Sequence, residues 1–462
     1  MLYVLATVAL LSPLPLGGYL PWVSSLSALI VGGLLLSHVG YRIWTHTLPR
    51  VPPTLASAAF LVVAVAIWVF VQADVHWLST SHHPLWQTAT EYGLPSEGRI
   101  SLAPATTETA LMRLLTHVGI FWLAWVNAQK RELAHRLLLV LFVGEVAYAL
   151  YGFIRFFGGL EHILWIYVGD PQVLTSTFVN RNSYATFANL GILVGLGLLL
   201  SRVPHFSMGA DGWRRGCLRF FDEVIERHAY VWIGLAILAA ASISTASRGG
   251  FLSLCLAIVT LALLQRPTKT KASIGFATAA SIGLFALLLP FAGETAVDRI
   301  FTSGESLSEE TRLAMWRQTI EGIGTVPLVG TGLGTFEDAY LLHSSTDVPF
   351  DVDKAHNTYL EHILELGIPA AVVFYAAFVL LFVMCARQGH RPVPAMGAAC
   401  IVLVGAHALV DFSMQLPGVS FMFVSILGTA CGRAYQGIAR KARSSRTPDD
   451  DPVAATGRDA VA

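Results

Sequence analysis

Long apolar runs recur along the whole chain, and they constrain its fold more than any other feature. A helix needs about 20 mainly apolar residues to cross a hydrocarbon core of about 30 Å. Candidate runs lie at residues 2–17, 19–41, 54–73, 109–126, 137–157, 183–200, 229–246, 250–265, 273–293, 368–386, 394–411 and 416–433. The pattern predicts an all-α, polytopic membrane protein with about twelve transmembrane helices.

The composition agrees with a bilayer protein. The chain is 54% hydrophobic and only 13% charged, whereas soluble domains carry about a quarter charged residues. Basic and acidic residues balance at 30 each, so the net charge does not indicate a nucleic-acid partner. The five cysteines form no C-x-x-C pair, and we expect neither a disulfide framework nor a zinc site.

The basic residues predict an orientation in the membrane. Alternate connections hold 21 of the 30 lysines and arginines, and cytoplasmic loops carry such an excess. Both termini are therefore predicted to be cytoplasmic. The outer face then has two sizeable segments, 74–108 and 294–356, the second of them between the ninth and tenth spans. We expect one membrane domain, 1–433, and a polar, disordered cytoplasmic tail, 434–462.

Three arginines stand at predicted outer helix ends, against this trend: Arg155, Arg181 and Arg248. The guanidinium fork matches phosphate oxygens, and a helix N-terminus adds unpaired N–H groups and a positive dipole end. Arg248 has Ser247 before it and two glycines after it, and Arg181 precedes Asn182 at the start of the next such helix. Two such sites on one face indicate a diphosphate. The alternative for Arg248 is a helix-end arginine that snorkels to the interface.

The second outer segment ends with a histidine, His356, which we place in the first turn of a helix. A helix N-terminus disfavours the imidazolium, and a neutral ring can accept a proton from a sugar hydroxyl. The alternative is a capping or interfacial histidine. The possible supporting residues are Asn182, Ser247, Arg155, Arg312, Asn357 and Asp411.

Other polar features indicate less. Glu145 lies within an apolar run, so it should face the bundle interior and pair with Arg155 or Arg113. The histidines of segment 76–83 have no carboxylate partner at a clear spacing, and no acidic metal cluster appears. The glycine-rich segment 326–336 lacks the Lys-Ser/Thr of a phosphate-binding loop. We therefore expect no metal, nucleotide or other cofactor.

Five motifs occur in the order RNSYATF, SRGGFLSL, RLAMWRQTIEGIGTVPLVGTGLGTF, HNTYLEHILELGIPA and HALVDFSMQLP. Together, over about residues 150 to 433, they resemble the O-antigen ligase/polymerase superfamily of bacterial envelope glycosyltransferases. The resemblance implies a multi-pass inner-membrane enzyme with a periplasmic active site. Such enzymes transfer a glycan from undecaprenyl diphosphate to an acceptor hydroxyl without a metal or nucleotide. The resemblance also implies that His356 activates the acceptor and that Arg181 and Arg248 hold the lipid-linked diphosphate.

The acceptor is the open question at this stage. A ligase transfers the glycan to lipid A-core and a polymerase to another lipid-linked repeat unit, and the motifs do not separate the two. A direct displacement would invert the anomeric configuration in either case. The alternative from another class is a transporter of lipid-linked oligosaccharide. Transporters place polar sites near the bilayer midplane, whereas most candidates here are predicted at one membrane face.

Overall fold

The computed structural model describes residues 1–47, 49–94, 97–169, 172–201, 228–265, 309–343 and 352–444. Within them the chain is mainly helical. The α-helices are α1 Leu2–Leu11, α2 Pro21–Trp44, α3 Pro53–Ala73, α4 Leu85–Glu91, α5 Pro104–Ala128, α6 Arg131–Phe157, α7 Arg181–Leu200, α8 Ala229–Ser244, α9 Arg248–Leu264, α10 Glu309–Thr325, α11 Phe336–His343, α12 Thr358–Leu366, α13 Ile368–Ala386, α14 Pro392–His407 and α15 Pro417–Ser444.

The described chain also contains one strand pair and short 3-10 helices. Strands β1 His162–Ile163 and β2 Tyr167–Val168 are antiparallel, with His162 opposite Val168. The 3-10 helices are Leu16–Gly18, Ser79–Ser81 and Ser413–Gln415. Prolines mark many helix starts, because a first-turn residue needs no N–H partner and the fixed φ suits the helix. They are the first residues of α2, α3, α5, α14 and α15.

Within the ranges that the structure describes, six helices are long and apolar enough to cross a bilayer: α2, α3, α5, α6, α7 and α13. Four shorter apolar helices, α1, α8, α9 and α14, coincide with further predicted spans. These findings agree with the predicted all-α membrane protein. The predicted span at 273–293 lies outside the described residues, as does much of the segment 294–356. The total of twelve spans and the orientation remain predictions.

The first predicted span, 2–17, is not one continuous helix. Helix α1 has 10 residues, about 15 Å at 1.5 Å per residue, which is half of a hydrocarbon core. It stops at Leu11 because Pro13 and Pro15 follow and cannot donate to the helix ladder. The Ser12 hydroxyl instead donates to the Ala9 carbonyl at 3.1 Å.

The last helix corrects the predicted tail. Helix α15 continues to Ser444, so residues 434–444 are helical rather than disordered. Polarity ends a membrane span, but it does not end a helix whose residues have ordinary helical propensity. The rest of the predicted tail, 445–462, lies outside the described residues.

Helix α7 forms the centre of the bundle. Nearly all of its side chains are buried, and it packs against α6, α8, α14 and α15. Glycines make this close packing possible. A Cβ at Gly195 would lie 2.6 Å from Phe142, and one at Gly197 would lie 2.6 Å from the sulfur of Met396. The central position of α7 fixes where its first residue, Arg181, lies.

The predicted pairing of Glu145 is wrong. Glu145 faces the bundle interior as expected and is fully buried, beside Gly191, whose Cβ would lie 2.7 Å from its Oε2. Neither carboxylate oxygen accepts a hydrogen bond. Among the described residues, no ion pair joins it to Arg113 or Arg155. Arg155 is instead engaged by loop groups beyond the end of α6.

Helices α10, α11 and α12 form a small cap outside the spans. Its core consists of Met315, Phe336, Tyr340 and Leu364, together with Ala355 from the loop that precedes α12. Helix α12 leads directly into α13 through Gly367. The cap thus fixes the residue after Ala355, His356, beside the membrane bundle.

Candidate active site

Helix α7 begins with a capped turn that presents Arg181. Asn180 is the N-cap residue, and its side chain accepts a hydrogen bond from the Asn182 backbone N–H at 2.7 Å. Arg181 is therefore the first helical residue, two positions before the predicted start. Capping by Asn is among the strongest signals that begin a helix. The remaining first-turn N–H groups and the helix dipole make this end suitable for an anion.

Helix α9 begins in the same way, with Arg248. The hydroxyl of Ser247, the N-cap residue, accepts from the Gly250 N–H at 3.1 Å, and Arg248 is the first helical residue. The Arg248 side chain is exposed. Gly250 allows close packing, because a Cβ there would lie 2.8 Å from the Cβ of Ala185 on α7. Arg248 therefore opens its helix, two positions before the predicted span at 250–265.

One amide joins these two helix starts. The Ser247 hydroxyl donates to Asn182 Oδ1 at 2.8 Å. Asn182 Nδ2 donates to Asp411 Oδ1 at 3.3 Å. The predicted supporting residues Asn182, Ser247 and Asp411 therefore form a single network that connects the N-termini of α7 and α9 with the loop after α14.

Asp411 extends this network towards the cap. Its carboxylate is fully buried, and Oδ2 accepts from the Ser413 N–H at 2.9 Å and from the Ser413 hydroxyl. The Asp411 carbonyl accepts from the Thr358 hydroxyl at 2.7 Å. Since Thr358 is the first residue of α12, this contact fixes that helix against the bundle.

His356 stands just before α12 rather than in its first turn, which corrects the prediction by two residues. Asn357 is the N-cap, and its side chain accepts from the Tyr359 and Leu360 N–H groups at 3.1 and 3.2 Å. His356 itself has a left-handed backbone, with φ 49°. Its ring packs edge-on against Phe412, with the centroids 5.0 Å apart. Nδ1 is buried and makes no hydrogen bond.

Burial, and not the helix terminus, is the main cause that keeps this ring neutral. Burial lowers the pKa of His356 below 6.5. The charges of Asp411 and Asp353 oppose the change in pKa, whereas Arg312 and Lys354 reinforce it. The Nε of Arg312 is itself buried without a hydrogen bond. A neutral imidazole at pH 7 is the form that can accept a proton.

Side chains bind both backbone groups of Ala355, the residue before His356. Glu361 Oε2 accepts from the Ala355 N–H at 3.1 Å, and Trp316 Nε1 donates to the Ala355 carbonyl at 3.0 Å. Glu361 Oε1 also accepts from Gln415 Nε2 at 2.7 Å. Glu361 thus links the loop of His356 with the loop of Phe412. Sequence reasoning missed it, although an acidic residue among apolar neighbours in HNTYLEHILEL was a signal.

The comparison with known families fits this geometry. Residues 233–375 match the family model Wzy_C, which is described as O-antigen ligase. This segment of the chain is therefore similar to the O-antigen ligase family. No curated protein matches the chain. The match confirms the resemblance to the O-antigen ligase/polymerase superfamily and supports glycan transfer of that general type.

The matched range covers one part of the site directly. Arg248, Arg312, His356 and Asn357 lie inside the matched residues, and Arg181 lies before them. Asn182 and Asp411 also lie outside the matched residues. Asn182 accepts a hydrogen bond from Ser247 within them, and the Asp411 carbonyl accepts one from Thr358. The roles of all these residues remain predictions.

A second histidine, His407, lies beside the start of α9 and was also missed. Its Nδ1 is 2.5 Å from the Thr186 hydroxyl, and Nε2 is buried without a hydrogen bond. A Cβ on Gly249 would lie 3.1 Å from that Nε2. Its position in the motif HALVDFSMQLP, four residues before Asp411, was the available signal. His407 thus packs against Gly249, the second residue of α9.

Arg155 contacts a different part of the molecule. Its Nε donates to the Leu160 carbonyl at 3.1 Å, and Nη1 donates to the Thr175 hydroxyl at 2.6 Å and to the Ser176 carbonyl at 3.4 Å. These bonds hold the loop between α6 and α7, which leads to Arg181. Its predicted support of a diphosphate is not tested by these contacts.

The glycine-rich segment closes against helix α12. The N–H groups of Thr331 and Gly332 donate to the Leu364 and Glu365 carbonyls at 3.0 and 2.9 Å. Gly330 has φ 70°, and a Cβ there would lie 2.3 Å from the Glu365 carbonyl oxygen, so only glycine fits. Across the part of the chain that the structure describes, no cluster of three or more His, Cys, Asp or Glu could hold a metal ion.

Proposed function

We propose that this protein transfers a glycan from an undecaprenyl-diphosphate-linked donor to an acceptor hydroxyl at the periplasmic face, with lipid A-core as the acceptor. The single observation that carries the proposal is the Asn182 network. It gathers the first turns of α7 and α9, which bear Arg181 and Arg248, with Asp411 and hence the start of α12 beside His356.

The two arginines are assigned to the donor diphosphate. A cation in the first turn of a helix is unfavourable on its own, because it meets the positive end of the helix dipole. A bound diphosphate would offset this cost, and it would also accept hydrogen bonds from the guanidinium forks and the first-turn N–H groups. Two adjacent helix starts, each with an arginine at its first position, suit a ligand with two phosphoryl groups.

His356 is assigned as the general base. Since its Nδ1 is closed off from solvent, Nε2 is the nitrogen that receives the proton of the acceptor hydroxyl. The hydroxyl oxygen forms a bond to the anomeric carbon as the bond from that carbon to the diphosphate oxygen breaks, and the electron pair leaves with undecaprenyl diphosphate. Arg181 and Arg248 stabilise the charge that grows on this leaving group. One displacement of this kind inverts the anomeric configuration.

A reconstituted assay tests the proposal. The purified full chain is incubated with a lipid-linked glycan and with each of two acceptors, lipid A-core and a second lipid-linked repeat unit. Inverted glycan on lipid A-core is expected, and a chelator should leave the rate unchanged. A product formed only on the second repeat unit would make the protein a polymerase. Movement of the donor across liposomes without bond formation would make it a transporter.

Two variants and a control test the residue roles. His356→Ala should lower the rate at least about 100-fold, which is within the range for loss of a general base. Arg248→Lys should lose most of the activity, because a point charge does not reproduce the guanidinium fork. Arg317→Lys is the matched control, since Arg317 is exposed on α10. Near-normal product from either test variant would contradict the assigned role.

A further inference from the structure

The loop between α6 and α7 carries an apolar surface that the proposed function does not use. Residues 160–168, here called the apolar hairpin, contain β1, β2 and the turn between them. The Trp165 side chain is 90% exposed, and Leu160, Ile166 and Val168 are also more than half exposed. From Ile163 to Gly169 the sequence ILWIYVG has no charged residue. Loops that face water are seldom so apolar.

The hairpin is fixed against α6 rather than projecting away from it. Ile163 is fully buried, and the Leu164 N–H donates to the Tyr151 hydroxyl at 3.0 Å. Arg155 Nε donates to the Leu160 carbonyl at 3.1 Å. Two contacts to residues one helical turn apart on α6 therefore define the position of the hairpin.

These contacts place the tip beside the membrane helix. Helix α6 ends at Phe157 and is a candidate span of 27 residues, about 40 Å long. This exceeds the hydrocarbon core by roughly 10 Å. Tyr151 lies six residues before Phe157, or about 9 Å back along the axis. Since Leu164 bonds to Tyr151, the chain has turned back alongside the span predicted at 137–157, which ends at Phe157.

Helix α6 also has an exposed apolar face. Val143, Leu150, Ile154 and Phe157 are all exposed, and their spacing of seven, four and three residues puts them on one face of the helix. In a membrane span such a face contacts acyl chains. The hairpin bonds to Tyr151 and Arg155, which lie roughly 100° around the helix from this face, so the exposed apolar residues of the hairpin stand beside the face at the same end of α6. Trp165 and Tyr167 belong to the residue types that are enriched at membrane interfaces.

We propose that the apolar hairpin is a membrane-seated element, in which Trp165 and Ile166 lie among the lipid acyl chains at the interface beside α6. The inference goes beyond the proposed function and does not depend on it. Arg155 connects the two, because the same guanidinium bonds the start of the hairpin and the Thr175 hydroxyl in the segment that leads to Arg181. A hairpin seated in lipid would thereby help to fix the segment that leads from Thr175 to Arg181.

Lipid-borne quenchers test the proposal directly. The full chain is reconstituted in vesicles of phosphatidylcholine with or without bromine on the upper acyl carbons. Tryptophan emission is measured for the wild type, for Trp165→Phe and for Trp77→Phe. Trp77 is an exposed tryptophan in the loop after α3, and it provides the matched control. Subtraction of each variant from the wild type isolates the emission of the replaced residue.

The expected result is that brominated lipid quenches the Trp165 emission at least twofold more strongly than the Trp77 emission. Any smaller difference overturns the proposal. A hairpin that contacts water or another protein instead of lipid would give this smaller difference. Should Trp165→Phe fail to fold, Ile166→Trp adds an emission at the same tip, and the same twofold criterion applies to the added signal.

Discussion

Glu361 offers the sharpest perturbation of the candidate site. Its carboxylate is buried and accepts hydrogen bonds from the Ala355 N–H and from Gln415 Nε2. Glu361→Leu removes both acceptors at similar volume. Glu361→Gln keeps both contacts if the Gln415 amide flips, because Oε1 can accept from Ala355 while Nε2 donates to the Gln415 carbonyl oxygen.

The magnitude follows from the two donors that lose their partner. A buried donor without a partner costs about 1–3 kcal/mol. The Ala355 N–H is buried, whereas Gln415 is half-buried, so the unrelaxed Leu variant would lose roughly 1–3 kcal/mol, mainly from Ala355. The loop of Ala355 can avoid part of this cost by moving towards water, and such a movement displaces His356. A misplacement of about 1 Å can lower a rate about 100-fold. We therefore expect kcat to fall about 100-fold in Glu361→Leu, with little change in KM.

The assay is glycan transfer by the reconstituted enzyme, with kcat and KM measured for the acceptor. Glu361→Gln should retain activity within a few-fold, which separates the geometry of the contact from its charge. Glu321→Leu is the control, because Glu321 is exposed on α10. The reasoning is refuted if folded Glu361→Leu keeps a wild-type kcat, or if the Gln and Leu variants lose activity equally.

Three further changes test the charges around the site. Arg312→Gln removes a charge that lowers the pKa of His356, so that pKa rises and the acidic limb of the pH–rate profile should move to higher pH. Asn182→Asp places a carboxylate against Asp411 and should lower the transfer rate at least tenfold. Adding Asp411→Asn should restore much of that rate. A double variant without recovery would contradict the hydrogen bond between the two residues. Burial raises the pKa of Glu365 to about 8, so the folded state holds a proton that the unfolded state releases, and stability falls as pH rises from about 4.5 to 8. The fall in the free energy of unfolding is at most about 5 kcal/mol, and Glu365→Gln should abolish it. Thermal unfolding of both proteins at pH 5 and pH 8 measures the difference.

Local signals were sufficient for much of the fold. Apolar runs identified the helices, and proline or a capping side chain determined where several of them begin. The same signals failed for residues 2–17 and 434–444, for opposite reasons. Pro13 and Pro15 end α1 inside an apolar run, and α15 continues through a polar one. Hydropathy measures the preference of a segment for lipid over water, but it does not measure whether the backbone can remain helical.

The connections within the site could not be predicted in this way. Asn182 meets Ser247 across 65 positions and Asp411 across 229. Glu361 meets Gln415 across 54. None of these pairs leaves a periodic pattern, because each depends on how the helices pack. Only the order of the five family motifs indicated that the residues belong together. The start of α12, by contrast, had a local signal, because Asn357 and not the histidine caps the helix.

The three arginines show what helix polarity adds to a charge pattern. All were predicted at outer helix ends, and composition alone treats them alike. Arg155 lies in the last turn of α6, where the dipole favours a cation and nearby carbonyls accept its hydrogen bonds. Arg181 and Arg248 lie in the first turns of α7 and α9, where the dipole disfavours them. The helix ends could be distinguished from sequence, because Asn180 and Ser247 are capping residues. A cation placed against the dipole is the stronger indication of an anionic ligand. This difference in polarity supports the proposed roles of Arg181 and Arg248 over a similar role for Arg155.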